Sequence, residues 1–340
     1  MEIYDINNDH RYEIIQPSPN GMEVIHADDG SLVWANPLIK GSEAHQIVLD
    51  SNHNGYPFIF ACNAATDGSA RLRKIDGKTG RILLSQVIYY PCHGGLTGAD
   101  IAGNGQYELF LGDRTTGNGQ GLQCFDAQTL TLIWNRPDIY CASQLPELVD
   151  VNGDGRLDVV VAQERDKNAG LYCLDALTGK NIQGLCQDRI AGFSSHETFP
   201  IYDIDGDGRL EVASCAASVV RVFDLGRWAF DANLATAGKA PYFANVLGDE
   251  HLEIVISDEV GAIKIFDNTY HLAGTIPVAS QGSIVQDVDG DGLNELIVYG
   301  SSGAVSVYDT TGHALSPLPR TNTNHYSERA TRVGVYTPPP

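Results

Sequence analysis

Asp150-Val-Asn152-Gly-Asp154-Gly-Arg-Leu-Asp158 runs straight into Val-Val-Val-Ala162, and this short acidic loop followed by an apolar strand decides the fold because the chain repeats it. Two further clear copies are Asp203-Ile-Asp205-Gly-Asp207-Gly-Arg-Leu-Glu211 and Asp287-Val-Asp289-Gly-Asp291-Gly-Leu-Asn-Glu295. Weaker copies begin at Asp5, Asp50, Asp100 and Asn245, so the starts fall at about 42 to 53 residue intervals. Periods of that length mark propellers and solenoids rather than one wound sheet. Around Asp150 the pattern is a short strand over Gln144 to Val149, the loop, and a continuous apolar strand over Leu157 to Ala162. A third strand over Gly170 to Asp175 follows, then a turn at Ala176 to Gly179 and a fourth strand near Lys180 to Ile182. Four strands per repeat with glycine-rich turns is the blade pattern of a β-propeller. Seven copies predict an all-β, seven-bladed propeller with its acidic loops between the first and second strands of the blades.

The repeat fills the chain, so the 340 residues are expected to form one domain, with a C-terminal tail from 320 to 340 that could add a strand to a terminal blade. Gly21 to Gly30 leading into Leu32-Val-Trp34, and Gly303 to Asp309 leading into Thr311-Gly312, fit the same blade plan. Trp34 and Trp134 fall at the same place in their repeats, where an aromatic ring can pack on the next blade.

The loop spacing carries a chemistry. Side chains at its first, third and fifth positions converge, glycine at the sixth allows a sharp turn, and an acid at the ninth closes from the following strand. That is an oxygen cage suited to Ca²⁺. Asp, Asn and Gly also dominate plain turns, so the competing reading is a turn with no ion. The expected ligands are Asp150, Asn152, Asp154 and Asp158; Asp203, Asp205, Asp207 and Glu211; Asp287, Asp289, Asp291 and Glu295; and Asp5, Asn7, Asp9 and Glu13. Three loops are poorer. The second has Phe58 at the closing place, the third has Ala102 at its third position, and the sixth starts with Asn245 and offers Leu247.

These loops resemble the FG-GAP/VCBS repeats of integrin α-chain propellers and of several secreted carbohydrate-active propellers. The half-repeat Leu174-Asp-Ala-Leu-Thr-Gly-Lys180 also resembles the repeats of quinoprotein dehydrogenases. The resemblance spans the chain and implies a fold; adhesion, scaffolding and catalysis all occur on it.

Net charge is −21, much of it in the acidic loops, which makes duplex nucleic acid an unexpected partner. No apolar run approaches a membrane span, and no basic-then-apolar leader is present at the N-terminus. Seven cysteines are too few and too irregular for a disulfide scaffold, and Cys124 and Cys173 take places that other repeats give to Val or Ile. Modestly charged calcium loops suit extracellular calcium, so a secreted monomer is expected, with a cytoplasmic protein as the alternative.

Function is expected on the face away from the acidic loops. The connections between second and third strands are long and polar in blades two to four: Asn63 to Arg71, Gly112 to Gly121 (with Arg114) and Gln163 to Gly170 (with Arg165). In blades five to seven they are short. His93 and His196 both stand seven residues before their acidic loops and His45 five before; Gln144 and Gln281 stand six before, and Tyr140 lies just upstream. Histidines, a tyrosine and arginines together match what β-elimination on a uronic acid polymer requires: a base for the C5 proton, a cation on the carboxylate, and an acid for the leaving oxygen. His93 or His45 would be the base, Arg114 and Arg165 the carboxylate clamp, His196 or Tyr140 the acid, and Asn63, Arg71, Gln144 and Gln281 would bind substrate. In this the chain resembles the propeller polysaccharide lyases (ulvan, rhamnogalacturonan and rhamnose-glucuronate lyases), which implies an acidic polysaccharide substrate. The alternative is a non-catalytic propeller that binds glycan or protein. A quinoprotein dehydrogenase fits poorly, because Trp34, Trp134 and Trp228 do not group around a pocket.

Overall fold

The computed structural model describes residues 2–313 except 19, 40–44, 53, 65–69, 89–94, 113–120, 140–145, 164–169, 183–199, 217–218, 237, 250, 259–260, 279, 281, 288–290 and 301–303. Every regular element among these is a β-strand. Sheet one is β1 (Glu2–Tyr4), β2 (Glu13–Ser18), β3 (Gly21–His26) and β4 (Leu32–Asn36). Sheet two is β5 (His45–Leu49), β6 (Phe58–Ala64), β7 (Ala70–Asp76) and β8 (Ile82–Ile88). Sheet three is β9 (Leu96–Ala99), β10 (Glu108–Leu111), β11 (Leu122–Asp126) and β12 (Leu132–Arg136). Sheet four is β13 (Glu147–Val149), β14 (Asp158–Gln163) and β15 (Gly170–Asp175). Sheet five is β16 (Ile201–Tyr202), β17 (Glu211–Ala216), β18 (Val219–Asp224) and β19 (Ala229–Leu234). Sheet six is β20 (Gly238–Ala244), β21 (Glu253–Asp258), β22 (Ala262–Phe266) and β23 (Leu272–Ile276). Sheet seven is β24 (Gly282–Gln286), β25 (Leu293–Tyr299) and β26 (Val305–His313). Each sheet is an antiparallel meander in chain order.

Two details differ from the sequence expectation. In sheet four the segment after the turn makes only an isolated bridge, Leu174 to Asn181, so Lys180 to Ile182 is not a fourth strand among the described residues. In sheet seven β26 runs on to His313 through the place expected for the turn at Thr311-Gly312. The tail from 320 lies outside the described residues.

The chain divides into two compact units, residues 2–182 with sheets one to four and residues 200–313 with sheets five to seven. In the first unit β1 lies along β5 and β5 along β9; in the second, β20 lies along β24. First strands therefore neighbour one another, while fourth strands stay outermost with exposed side chains such as Leu32, Leu132 and Ile133. The apolar core sits between successive sheets. Ile6, Ile15, Val24, Val48, Ile59 and Ile75 join sheets one and two, and Leu96, Leu109 and Phe125 pack on Phe60, Leu72 and Ile88. In the second unit Ile204, Val222 and Leu234 pack on Phe243, Ile254 and Phe266.

Aromatic latches tie neighbouring sheets at the expected places. Trp34 Nε1 donates to the Gly77 carbonyl at 2.7 Å, and Trp134 Nε1 donates to the Ala176 carbonyl at 2.9 Å. Each ring covers a glycine in the next sheet, Gly80 at φ +70° and Gly179 at φ +67°, where the left-handed turn and the ring together exclude a side chain. Cys124 and Cys173 are buried thiols, as expected; Cys62, also buried, is disulfide-bonded.

Candidate functional site

The acidic loops join first and second strands, as their spacing predicts, and six of them close alike; in the sixth, Asn245 instead accepts from the Gly248 amide and donates to the Asp249 carbonyl. The first acid closes the loop by accepting from backbone amides four and five residues on. Asp5 takes the amides of Asp9 and His10, Asp50 those of Asn54 and Gly55, Asp100 those of Asn104 and Gly105, and Asp150 those of Asp154 and Gly155. Asp203 takes Gly208 and Asp287 takes Gly292. The fifth residue caps the next turn: Asp9, Asp154, Asp207 and Asp291 each accept from the amide two residues later. The ninth residue is a buried acid that reaches back to the loop's second amide. Glu13 accepts from Ile6, Asp158 from Val151 and Glu211 from Ile204. Glu108 and Glu253 do the same in the third and sixth loops, from Ile101 and Val246.

Because Asp50 and Asp100 close their loops in the same way, loop shape alone follows from turn chemistry. Among the described residues, unpartnered carboxylate and amide oxygens mark the first and fifth loops. Asp203 Oδ1 and Glu211 Oε1 are buried without a hydrogen-bond partner, and so is Asn7 Oδ1. Donor oxygens of Asp203, Asp205 and Glu211 lie within 4.8 Å of one another. An unpaired buried carboxylate oxygen is costly, and a hard cation relieves that cost, so these residues fit Ca²⁺. With no cation, burial pushes Glu211 up to about 8 and Asp158 to about 7, with neighbouring aspartates adding to both. Burial also raises Glu108 and Glu253. In the second loop Phe58 stands where the acid should be and lies under the Lys74 ammonium, 4.2 Å from the ring centre. Of the remaining expected ligands, Asn152 accepts from the Asp154 amide, Glu295 is buried on β25, and Asp289 lies outside the described residues.

Sequence reading missed the partners of four closing acids. The last residue of the third strand faces it in register: Glu13 opposite His26, Glu108 opposite Asp126, Asp158 opposite Asp175 and Glu211 opposite Asp224. His26 Nδ1 is 2.9 Å from Glu13 Oε1, and Asp9, Glu13 and His26 form one cluster. The signal was present, since Asp76, Asp126 and Asp175 recur at that place before a Thr three residues on.

At the other end of the sheets, register pairs Asn63 with Arg71 and sets His45 at the same end of blade two, on the other face of the sheet. His45, the first residue of β5, pairs with Cys62; Asn63, next along β6, pairs with Arg71 on β7. The acidic loop joins the opposite ends of β5 and β6, at Leu49 and Phe58. In sheet three, Leu96 pairs with Leu111, and in sheet four Gln163 pairs with Gly170, so those connections leave from the same end. His93, Arg114, Tyr140, Gln144, Arg165, His196 and Gln281 lie outside the described residues.

No protein-family model matches the chain, and no curated protein is similar to it in sequence. Solved structures are similar in fold. An exotype rhamnogalacturonan lyase, YesX, matches over 90% of this chain and 64% of its own, with TM-score 0.56 and 15% identity. BamB from Moraxella catarrhalis matches over 91% and 83%, with TM-score 0.53 and 12% identity. BBS1N, solved in complex with ARL6DN, matches over 92% and 91%, with TM-score 0.55 and 11% identity. The fold is a β-propeller. Its seven antiparallel sheets fit seven blades, with the acidic loops at one end of each blade and the longer connections at the other.

Proposed function

We propose that this propeller is a polysaccharide lyase that cleaves a uronic-acid polymer by β-elimination, on the end of blades two to four away from the acidic loops. The observation that carries it is the register of blade two, which pairs Asn63 with Arg71 at that end and begins β5 there with His45. To these the sequence reading adds His93, Arg114, Tyr140 and Arg165. His45 or His93 takes the C5 proton. The arginines neutralise the uronate carboxylate, which lets negative charge build at C5. Tyr140 protonates the departing glycosidic oxygen, leaving a C4–C5 double bond in one product. Calcium in the loops of blades one, four, five and seven is structural in this reading, and the Cys62 disulfide supports a secreted protein.

A rise in ultraviolet absorbance from the unsaturated uronate, on rhamnogalacturonan, ulvan or gum arabic, tests the proposal. His93→Ala and Arg71→Ala should each lower the rate by roughly a hundredfold or more. A second reading, a binding propeller without catalysis, is supported by the likeness in fold to BBS1N, which was solved in complex with ARL6DN. No absorbance change on any of these polymers, with retained glycan or protein binding, would move the function to that class.

A further inference from the structure

Cys62 stands on β6, the strand that also carries Asn63, and it is disulfide-bonded. Its side chain is fully buried in the core shared by sheets two and three, a cluster that includes Ile47, Leu72, Ile88 and Leu96. Cys124 and Cys173 are free thiols, so the partner is one of Cys92, Cys141, Cys186 and Cys215. A disulfide joins residues whose Cα atoms lie within about 7 Å, so position in the fold decides among the four.

Cys92 comes four residues after Ile88, where β8 ends, and four before Leu96, where β9 begins. Both of those residues belong to the cluster that holds Cys62. The other three cysteines are tied elsewhere. Cys141 follows Ile139 by two residues, and Ile139 packs with Phe110, Leu122 and Cys124 on the opposite face of sheet three, toward sheet four. Cys186 follows Ile182 by four, and the Ile182 amide donates to the Cys173 carbonyl of sheet four. Cys215 stands opposite Val220 in sheet five, and Val220 belongs to the core of sheets five and six.

We infer that Cys62 is bonded to Cys92 and that this bond holds His93 beside His45. His45 is the register partner of Cys62 on β5. Opposed strand residues are about 5 Å apart, bridged cysteines at most about 7 Å and consecutive residues about 3.8 Å, so the Cα atoms of His45 and His93 lie within about 16 Å. Within that limit two histidine side chains can meet one sugar ring between them. A crosslink also removes freedom from the chain it closes, which fixes the segment that carries His93. Cys62 and Cys92 are therefore positioning residues that act through His93. That role rests on the lyase reading; the pairing does not.

Peptide mapping of the intact chain, alkylated and digested without reductant, tests the pairing. Trypsin should release residues 41–71 joined to residues 82–114. Cys62 joined to any other cysteine would overturn it. The positioning is read at His93 itself, whose imidazole NMR signals are assigned by their loss in His93→Ala. They should shift in Cys62→Ala, and also in the parent chain treated with dithiothreitol, which supplies the two electrons and two protons that turn the disulfide into two thiols. Unchanged His93 signals, in a chain still folded by circular dichroism, would overturn the positioning role whether or not the protein is a lyase. On a uronate polymer Cys62→Ala should lower kcat roughly tenfold, yet leave the residual rate of His93→Ala unchanged. A loss by the same factor in both backgrounds would show that the bond acts through the fold and not through His93. No turnover in the parent chain, with the joined peptide found, would remove the lyase reading and leave the pairing.

Discussion

At the residue scale, the acids that close the loops are governed by burial. Glu211 binds its proton up to about pH 8 in the folded chain, whereas an unfolded glutamate releases it near pH 4.3. Between these values the folded state holds more protons than the unfolded one, so stability falls as pH rises. Asp158, raised to about 7, acts in the same direction over a lower window. The calcium-free chain should therefore melt at a lower temperature at pH 8 than at pH 5.5. Calcium should cancel much of that drop by replacing the protons, and binding at pH 7 should release protons that calorimetry in buffers of different ionisation enthalpy can count. A melting temperature without chelator dependence, or one that rises from pH 5.5 to 8 in chelator, would contradict this account. Glu211→Gln keeps the hydrogen bond from Ile204 but removes the charge, so it should flatten the pH dependence and weaken calcium binding together.

At the element scale, the blade was legible because its two turn chemistries recur in the sequence. Gly170 to Asp175 is the third strand of blade four in both reading and structure, and the strand after the loop differs by one residue at each end. The fourth strand of that blade was not legible. Lys180 to Ile182 carries only three residues of pattern, and outermost strands are half exposed, so little apolar periodicity marks them. The pairing of Glu211 with Asp224 depends on register across a hairpin, which spacing alone does not expose. What the recurring Asp-x-x-Thr does show is a capped turn: Asp175 accepts from both the amide and the hydroxyl of Thr178. The glycine after it answers to the preceding blade. A Cβ at Gly179 would stand 2.7 Å from the Trp134 ring at a φ that side chains rarely adopt. Gly179→Ala should cost about 2–3 kcal/mol in chemical denaturation, strain and overpacking together. Gly153→Ala, in the open acidic loop, meets no atom within 4 Å and should cost less, its penalty being backbone strain alone.

At the scale of the whole molecule, the propeller separates what holds it together from what it is proposed to act on. Its repeats were legible because seven loops share one spacing. The face opposite was legible only as a set of residue types, since long connections between second and third strands obey no period. The β6 strand runs from Phe58 at the acidic-loop end to Ala64 at the other, seven residues or about 20 Å. At that separation a loop cation is too far to touch a sugar held against His45, Asn63 and Arg71, and its field is screened over two Debye lengths of salt solution. Calcium and catalysis are thereby expected to come apart. Chelator should lower the melting temperature, yet at a temperature where the calcium-free chain remains folded it should leave kcat and KM on a uronate polymer unchanged. Arg71→Ala should do the reverse, leaving the calcium-dependent melting shift intact while reducing turnover. If chelation abolishes turnover in a chain still folded by circular dichroism, the cation belongs to the reaction, and the substrate must be sought at the acidic-loop end of the blades.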